Sequence, residues 1–540
     1  MDVRALPLAA LGASALTRAT ASGDPAALAT YAHPPGDAAA RAEAARRAAA
    51  RAVHRDADAD VLAEQNRAWG AGADALALIE RLREPEAVAV VTGQQLGLFA
   101  GPLYTPYKAL SAVRLAERLH AETGRPVVPV FWLADEDHDF EEVQTAVFSD
   151  GPDVRHVVYH DGHPAGAPRG PVGRIVLDEV ALADTFRQLE AALPAGPYRD
   201  AALAAARDAY RPGRTMRDAF ARLLVTLAPG LVLMSADDVR LKRLVLPLMD
   251  RELAEWEATH AVLTERSDAL VAAGFHAQVA PTPVQLFWID EAGARRPLDP
   301  ADGGLALRGA PPEPVDVWRA RAQAEPDRLS PNVVLRPLVQ DTLLPTAAYV
   351  AGPGEAAYYA QLTPVYERFG VPMPVIEPRL SLTLVDPGVA KILDRYGLDV
   401  PDVRTGLDAL WRRFAQEASD ADLPDAFEEA HRHAEALLAD LETLATDLDT
   451  SLSGAAGATR AAIDKALRRF ETKTVRVQKR QHQDVRDRLD RAHAALWPDG
   501  ALQERAICPL QVVARQGPGA LESAIGAIPL DARVHYVVRT

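Results

Sequence analysis

The chain has 540 residues, of which 48% are hydrophobic and 25% are charged, and its formal net charge at pH 7 is −16. The length exceeds what one compact core supports, and the composition excludes a disordered chain. The acidic balance argues against nucleic-acid binding, and no apolar run reaches the roughly 18 residues that a membrane span needs.

The first predicted element is a helical leader over residues 1–85, which is rich in Ala and Arg. A βαβ unit follows, with two apolar strands at 88–91 and 127–133 and an amphipathic helix at 108–119 between them. Both strands run into polar clusters. Ligands bind beyond the carboxyl ends of the strands in open α/β sheets, so we place the active site there.

The βαβ unit opens a predicted Rossmann-like core over residues 86–385. Later strands are expected at 174–177, 231–235 and 284–289, helices at 201–228 and 242–270, and further α/β pattern at 331–385. Gly and Pro clusters loosen the pattern at about 149–200 and 274–330. The sequence therefore predicts a doubly wound parallel sheet with two insertions.

Residues 386–500 form a predicted α-helical arm. Apolar residues keep a three-four spacing from Phe427 to Leu448 and again from Ile463 to Leu496, with a turn expected at Gly454 and Gly457. This pattern predicts an antiparallel coiled coil, for which homodimerisation is an expected use. Residues 501–540 are expected to return to the core.

The single cysteine, Cys508, lies in an apolar segment of this returning region. We interpret it as a buried bystander and not as a nucleophile. Without a second cysteine the chain forms no intrachain disulfide, and a cytoplasmic location is expected.

Acidic residues and one histidine cluster from Asp135 to Asp139, directly after the second strand. Such a cluster could ligate a metal or transfer protons, or it could be a solvated loop that caps the next helix. Because it follows a buried strand, we favour a functional role, chiefly for Asp137 and His138. The spacing is not that of a zinc site, so no permanent metal is expected, and Mg²⁺ would enter only with a nucleotide.

A glycine-punctuated passage joins the first strand to its helix and carries Gln94, Gln95, Tyr104 and Lys108. Glycines let the backbone approach a ligand, and a helix start offers free N–H groups to an anion. Lys108 is expected in the first helical turn, where a cation opposes the helix dipole, so an anionic ligand would explain its position.

Two later segments repeat this chemistry. Gly352, Gly354 and Glu355 begin another helix, where Glu355 is either a ligand for an amine or ribose or a carboxylate favoured by the helix dipole. In the segment from Asn332 to Asp341, Arg336 and the acid either pair with each other, or Arg336 holds a substrate carboxylate.

Five segments together resemble the BshC family of cysteine-adding enzymes in bacillithiol biosynthesis. The segments are TGQQLGLFAGPLYTPYKALSA (92–112), PVFWLADEDHDFEE (129–142), SPNVVLRPLVQDTLLPTAAYVAGPGEAAYYAQL (330–362), MPVIEPRLSLTLV (373–385) and GALQER (500–505). The resemblance implies a core similar to nucleotidylyltransferases and class I aminoacyl-tRNA synthetases, two connecting-peptide insertions and a dimerising coiled coil. Residues 101–105 and 379–381 stand where the synthetase signatures HIGH and KMSKS would lie, although neither signature is present literally.

The implied activity is the last step of bacillithiol biosynthesis, a ligase reaction that joins L-cysteine to the glucosamine amine of glucosaminyl-malate. ATP or ADP is the expected nucleotide, with ATP activating the carboxyl group. The expected catalytic residues are Lys108, Asp137 and His138, and the expected substrate-binding residues are Gln94, Gln95, Tyr104, Asn332, Arg336, Asp341, Gly352, Gly354, Glu355, Arg379 and Ser381. The alternatives are a nucleotidylyltransferase-like enzyme that makes another aminoacyl conjugate and a non-catalytic coiled-coil scaffold.

Overall fold

The structure is a computed structural model that describes residues 2–51, 54–164, 166–404, 406–417 and 423–540. Residues 52–53 of the predicted leader, 165 of the first predicted insertion, and 405 and 418–422 of the predicted arm lie outside the described residues. Internal contacts divide the chain into two units. Unit 1 comprises Met1–Asp150, Val154–Val385 and Ala501–Thr540, and unit 2 comprises Gly151–Asp153 and Asp386–Gly500.

Strands and helices alternate through most of unit 1. The strands are β1 (Asp2–Pro7), β2 (Val88–Gln94), β3 (Val127–Leu133), β4 (Thr145–Asp150), β5 (Asp153–Val158), β6 (Val232–Ser235), β7 (Leu286–Ile289), β8 (Arg295–Ala301), β9 (Gly304–Leu307), β10 (Leu329–Pro331), β11 (Thr346–Ala351), β12 (Val375–Pro378), β13 (Leu382–Val385) and β14 (Val534–Arg539). The helices of unit 1 are α1 (Ala15–Ser22), α2 (Pro25–Leu28), α3 (Ala38–Ala50), α4 (Arg55–Trp69), α5 (Ala73–Arg81), α6 (Tyr104–Thr123), α7 (Phe140–Val143), α8 (Glu179–Ala192), α9 (Arg199–Ala209), α10 (Met216–Leu227), α11 (Val239–Ala272), α12 (Val315–Ala324), α13 (Arg336–Leu343), α14 (Pro353–Phe369), α19 (Gln503–Ala506), α20 (Pro509–Gln516) and α21 (Ala520–Ala527). The helices of unit 2 are α15 (Pro387–Tyr396), α16 (Leu407–Glu417), α17 (Leu423–Leu448) and α18 (Ser453–Leu496). None of these described helices is both long enough and apolar enough to cross a membrane.

The central sheet of unit 1 is parallel, with the strand order β12-β11-β2-β3-β6. Its inner strands β2 and β3 are buried almost throughout, as their continuous apolar sequences predict. The chain winds from β2 through β3 to β6, and then adds β11 and β12 on the other side of β2. This is the doubly wound Rossmann order, and its direction reverses between β2 and β11.

Helices cover both faces of this sheet, because successive side chains of a strand point to opposite faces. On one face, residues of α3 and α6 pack with Val88 and Val90 of β2. On the other face, residues of α4, α11 and α14 pack with Ala89 and Val91. The predicted α/β fold class is therefore confirmed.

Besides the central sheet, the described residues form three further sheets, of which the smallest is the two-stranded ribbon β4-β5. The antiparallel sheet β10-β7-β8-β9 lies within the region predicted as the second insertion. In the sheet β1-β14-β13, β1 is antiparallel to β14 and β13 is parallel to it. Residues 2–7 of the predicted helical leader therefore form a strand, and the helices α1 to α5 follow within the leader. Leu6 is the one fully buried side chain of β1, so the strand has too little apolar alternation to be recognised in the sequence.

Two other expectations for unit 1 are wrong. Residues 174–177 do not form a regular strand, since Val172–Arg174 is a short 3₁₀ turn and Val176 makes only an isolated bridge to Thr215. The predicted helix at 201–228 is two helices, α9 and α10. Pro212 and Gly213 separate them, and Gly213 adopts a φ of 80° that favours glycine.

In unit 2, α17 and α18 form an antiparallel helical hairpin. Phe427 of α17 packs against Phe470 of α18 with ring centroids 5.6 Å apart. The helices are joined at Asp449–Leu452, whereas Gly454 and Gly457, predicted to mark the turn, lie inside α18. Leu437, Leu441, Leu444 and Leu448 of the predicted seam are 52–83% exposed within this chain.

Candidate active site

A cavity of about 560 Å³ opens beyond the carboxyl ends of β2 and β11, where the winding of the sheet reverses. Its volume lies within the range of small-molecule sites, and its position is the one at which open α/β sheets bind ligands. The predicted residues that line it are Gln94, Gln95, Tyr104, Lys108, Asp137, His138, Asn332, Arg336, Gly352, Gly354, Glu355 and Arg379. The fold thus brings together residues from four separate predicted segments.

Two predicted substrate-binding residues, Asp341 and Ser381, are not among the residues that line this cavity. Asp341 is buried and accepts hydrogen bonds from Gln340 (2.9 Å) and Tyr366 (2.6 Å). It does not pair with Arg336, because a separation of five residues places the two on different sides of α13. Ser381 donates to Glu504 (2.9 Å) and also contacts His535 (2.7 Å), so it lies behind the cavity wall.

Lys108 is buried and occupies the second turn of α6, not the first turn as predicted, because the helix begins at Tyr104. Its Nζ atom donates to the carbonyl of Gly93, to Oε1 of Gln94 (3.3 Å) and to Oε2 of Glu355 (2.5 Å). Burial lowers the pKa of Lys108, and the charge of Glu355 opposes that shift. The lysine is therefore engaged by protein groups, and its position needs no anionic ligand.

Glu355 occupies the start of its own helix. Its Oε2 atom accepts the backbone N–H of Gly352 at 2.7 Å, and its Oε1 atom accepts the hydroxyl of Tyr349 at 2.7 Å. The N-terminus of α14 is thus capped by a carboxylate of the chain, which is the helix-dipole alternative considered from the sequence.

Asp137 and His138 lie in the loop after β3 and face the cavity. Oδ1 of Asp137 accepts the backbone N–H of His138 (2.7 Å), and Oδ2 accepts Nε2 of Gln95 (2.6 Å). Gln95 therefore orients the carboxylate. In the same loop Asp139 caps α7 by accepting the N–H of Glu142 at 3.2 Å. Within the acidic cluster, Asp139 therefore has the capping role considered from the sequence, whereas Asp137 and His138 lie at the cavity.

The first acids of this loop, Asp135 and Glu136, belong to a buried ionic cluster, and Glu136 also lines the cavity. Asp135 accepts the hydroxyl of Ser235 at 2.5 Å, and Glu136 pairs with Lys242 at 2.7 Å. Burial and then the neighbouring charge of Asp237 raise the pKa of Asp135. No group of three or more potential ligands arranged to hold a metal ion occurs in the described part of the chain.

Arg295 of β8 is the most informative lining residue that the sequence analysis missed. Its Nη1 atom donates to Nδ1 of His138 at 3.0 Å, and its guanidinium lies 3.8 Å from the ring centroid of Phe287. The antiparallel sheet β10-β7-β8-β9 places both Arg295 and Phe287 at the cavity. The sequence of this region is rich in Gly and Pro, and no motif in it marks Arg295.

Cationic side chains outnumber carboxylates around the cavity. The cations are Lys108, Arg295, Arg336, Arg379 and Arg505, and the carboxylates are Glu136, Asp137 and Glu355. Arg379 is paired with Glu504 (2.5 Å), as Lys108 is with Glu355. Arg336 instead donates to Gln340 (3.1 Å) and to the hydroxyl of Tyr358 (3.0 Å), with no ion pair among the described residues. On a protein of net charge −16, this arrangement favours a ligand that carries carboxylate or phosphate groups.

Comparison with known proteins gives matches over the whole chain. Residues 1–380 match the family described as "Bacillithiol biosynthesis BshC, N-terminal Rossmann-like domain", and residues 382–540 match "Bacillithiol biosynthesis BshC, C-terminal coiled-coil domain". A Salinibacter ruber protein named "Putative cysteine ligase BshC" is 42% identical over 508 residues, covering 92% of this chain and 91% of that protein. Proteins of the same name from Chlorobaculum tepidum (34% identical, 87% and 86% covered) and Koribacter versatilis (35% identical, 88% of each covered) are also similar.

Proposed function

The chain belongs to the BshC family, and we propose that it is a ligase that joins the carboxyl group of L-cysteine to the glucosamine amine of glucosaminyl-malate. The observation that carries this proposal is the cation-rich cavity at the switch point of the sheet. Glucosaminyl-malate bears two carboxylates, and the reaction joins it to a third carboxyl group. A cavity of this charge suits such substrates.

Arg336 is the best candidate for binding the malate carboxylates. Its guanidinium lies at the cavity and is held by neutral partners, Gln340 and Tyr358, so its charge is available to a ligand. Arg505, which also lines the cavity, is a second candidate. Arg379 is less suited, because both of its terminal nitrogens already bond to Glu504.

Activation by ATP completes the proposed chemistry, because amide formation from a free carboxylate is uphill in water. A carboxylate oxygen of cysteine attacks phosphorus, giving an acyl-adenylate and pyrophosphate or an acyl-phosphate and ADP. The glucosamine nitrogen then attacks the acyl carbon, expels AMP or phosphate, and loses one proton. With Arg336 on the malate, Arg505 is the cation left for the phosphates, and Glu136 and Asp137 would contact a Mg²⁺ ion carried by the nucleotide.

The test is an assay of the full-length protein with L-cysteine, glucosaminyl-malate and MgATP, with bacillithiol detected by mass spectrometry. We expect product that depends on ATP, and AMP or ADP identifies the intermediate. Absence of product together with failure to complement a bacillithiol-deficient strain would reject the proposal. Better use of another amino acid would favour a different aminoacyl conjugate. Unchanged cellular thiol levels in Lys108→Ala and His138→Ala variants would favour a scaffold.

We further propose that the protein is a cytoplasmic homodimer that associates through the helical hairpin of unit 2. The four exposed leucines from Leu437 to Leu448 keep the spacing of a coiled-coil seam, which supports a second helical surface covering them. The single buried cysteine, Cys508, fits a reducing compartment.

A further inference from the structure

The contact between Arg295 and His138 determines which nitrogen of the histidine carries the proton. Arg295 is held on three sides: Nε donates to the hydroxyl of Ser330 (3.0 Å), Nη2 donates to the carbonyl of Pro331 (2.7 Å), and Phe287 lies against the guanidinium. These contacts fix the buried side chain of Arg295 independently of His138. Its Nη1 atom then meets Nδ1 of His138 at 3.0 Å.

An arginine N–H group can only donate a hydrogen bond, so Nδ1 of His138 must accept it with a lone pair. A neutral imidazole that accepts at Nδ1 carries its proton on Nε2. Flipping the ring would set a C–H group against Nη1 of Arg295, whose N–H group would then lack an acceptor. The contact therefore selects the Nε2–H tautomer.

The other charged groups around His138 do not reverse this selection. Oδ1 of Asp137 lies 3.6 Å from Nδ1, beyond hydrogen-bond length, and already accepts the backbone N–H of His138. Burial and the charge of Arg295 lower the pKa of His138, while Asp137 and Asp139 oppose the shift. Nε2 has no hydrogen-bond partner among the described residues, and the side chain lines the cavity.

We propose that Arg295 is a positioning residue that fixes His138 as a neutral donor, so that Nε2–H of His138 serves the reaction as a hydrogen-bond donor and not as its base. The identity of the acceptor rests on the proposed function. As the amine attacks the acyl carbon, the carbonyl electron pair moves onto oxygen, and a donor aimed at that oxygen stabilises the developing charge. No proton changes hands at His138, and the proton released from the amine leaves to water.

The tautomer is tested in the full-length protein without substrates, by ¹⁵N NMR of labelled histidine, with the signals of His138 assigned by their loss in His138→Gln. We expect unprotonated Nδ1 and protonated Nε2 at pH 7. Arg295→Met should mix the tautomers and raise the titration midpoint of His138. The matched control is Arg296→Met on the same strand as Arg295. Arg296 pairs with Asp290 (2.5 Å), so this variant should change neither the tautomer nor the titration midpoint of His138. A proton on Nδ1 at pH 7, or an Arg295→Met spectrum identical to wild type, would overturn the proposal.

A kinetic comparison separates a donor from a base. The amide of His138→Gln can donate but cannot take a proton, whereas the carboxylate of His138→Glu can take a proton but cannot donate. We expect Gln to retain about 10-fold more activity than Glu or Ala, a factor worth about 1.4 kcal/mol. Greater activity of His138→Glu would refute the donor role. The NMR result does not depend on turnover, so it stands or falls separately from the ligase proposal.

Discussion

The buried ion pair between Lys108 and Glu355 offers a quantitative test of how the cavity is built. The Lys108 side chain is 1% exposed, the Glu355 side chain is 20% exposed, and their charged atoms are 2.5 Å apart. Lys108→Met keeps the apolar stem but leaves the carboxylate without its cation. Removing one partner of a buried pair costs about 3–5 kcal/mol. Because Glu355 keeps its bonds from Tyr349 and Gly352, we expect a loss of about 2–3 kcal/mol.

Urea denaturation of the full-length protein, followed by tryptophan fluorescence and circular dichroism, measures this loss. Adding Glu355→Gln to Lys108→Met removes the uncompensated charge, so the double variant should recover at least half of the lost stability. The control is Arg46→Met, which breaks an exposed pair with Glu43 and should leave the denaturation midpoint unchanged. Lys108→Met with the stability of wild type, or a double variant less stable than Lys108→Met, would refute the reasoning.

Three further predictions address binding, pH dependence and assembly. Arg336→Ala should raise KM for glucosaminyl-malate about 10–100-fold and leave KM for cysteine unchanged. Arg328→Ala, which removes ion pairs with Glu291 and Glu325 outside the cavity lining, should change neither KM. Burial lowers the pKa of His535 from 6.5 to about 4, so its contribution to stability is present above pH 6.5 and is lost as the pH falls toward 4. Between pH 7 and pH 4, wild type should therefore lose about 3 kcal/mol more unfolding free energy than His535→Gln in urea titrations, and parallel losses would contradict this. Leu441→Glu should convert the proposed dimer to a monomer, which light scattering detects as a halved molar mass. An unchanged mass would exclude this leucine from the interface.

The local sequence pattern was sufficient to predict the main elements of the central sheet. The run 127–133 is β3 without any shift in its boundaries, and the helix predicted at 108–119 lies within α6. The start of α6 was missed because its N-cap, Leu103, has no capping side chain, so the sequence carries no helix-start signature. That shift of four residues changed the interpretation of Lys108, because in the second turn the lysine bonds to Glu355 and needs no anionic ligand.

The direction of side chains and the contribution of the antiparallel sheet could not be read from the sequence. Ser381 and Asp341 lie close in sequence to lining residues, yet both point behind the wall. Arg295 lies between Gly293 and Pro297, in a stretch whose composition indicates loops. Its role depends on the pairing of β7, β8 and β10, and such long-range pairing leaves no local signal.

The distribution of charge links these observations to the proposed reaction. At the cavity, Lys108 neutralises Glu355 and Gln95 holds Asp137, so these two carboxylates are engaged by the protein. The cation of Arg336, in contrast, is held by neutral groups. A half-buried cation of this kind is unfavourable in the empty site and becomes favourable when an anion binds. Substrates that bring carboxylates and phosphates would therefore complete the electrostatics of the cavity, and neutral analogues of the same size should bind weakly.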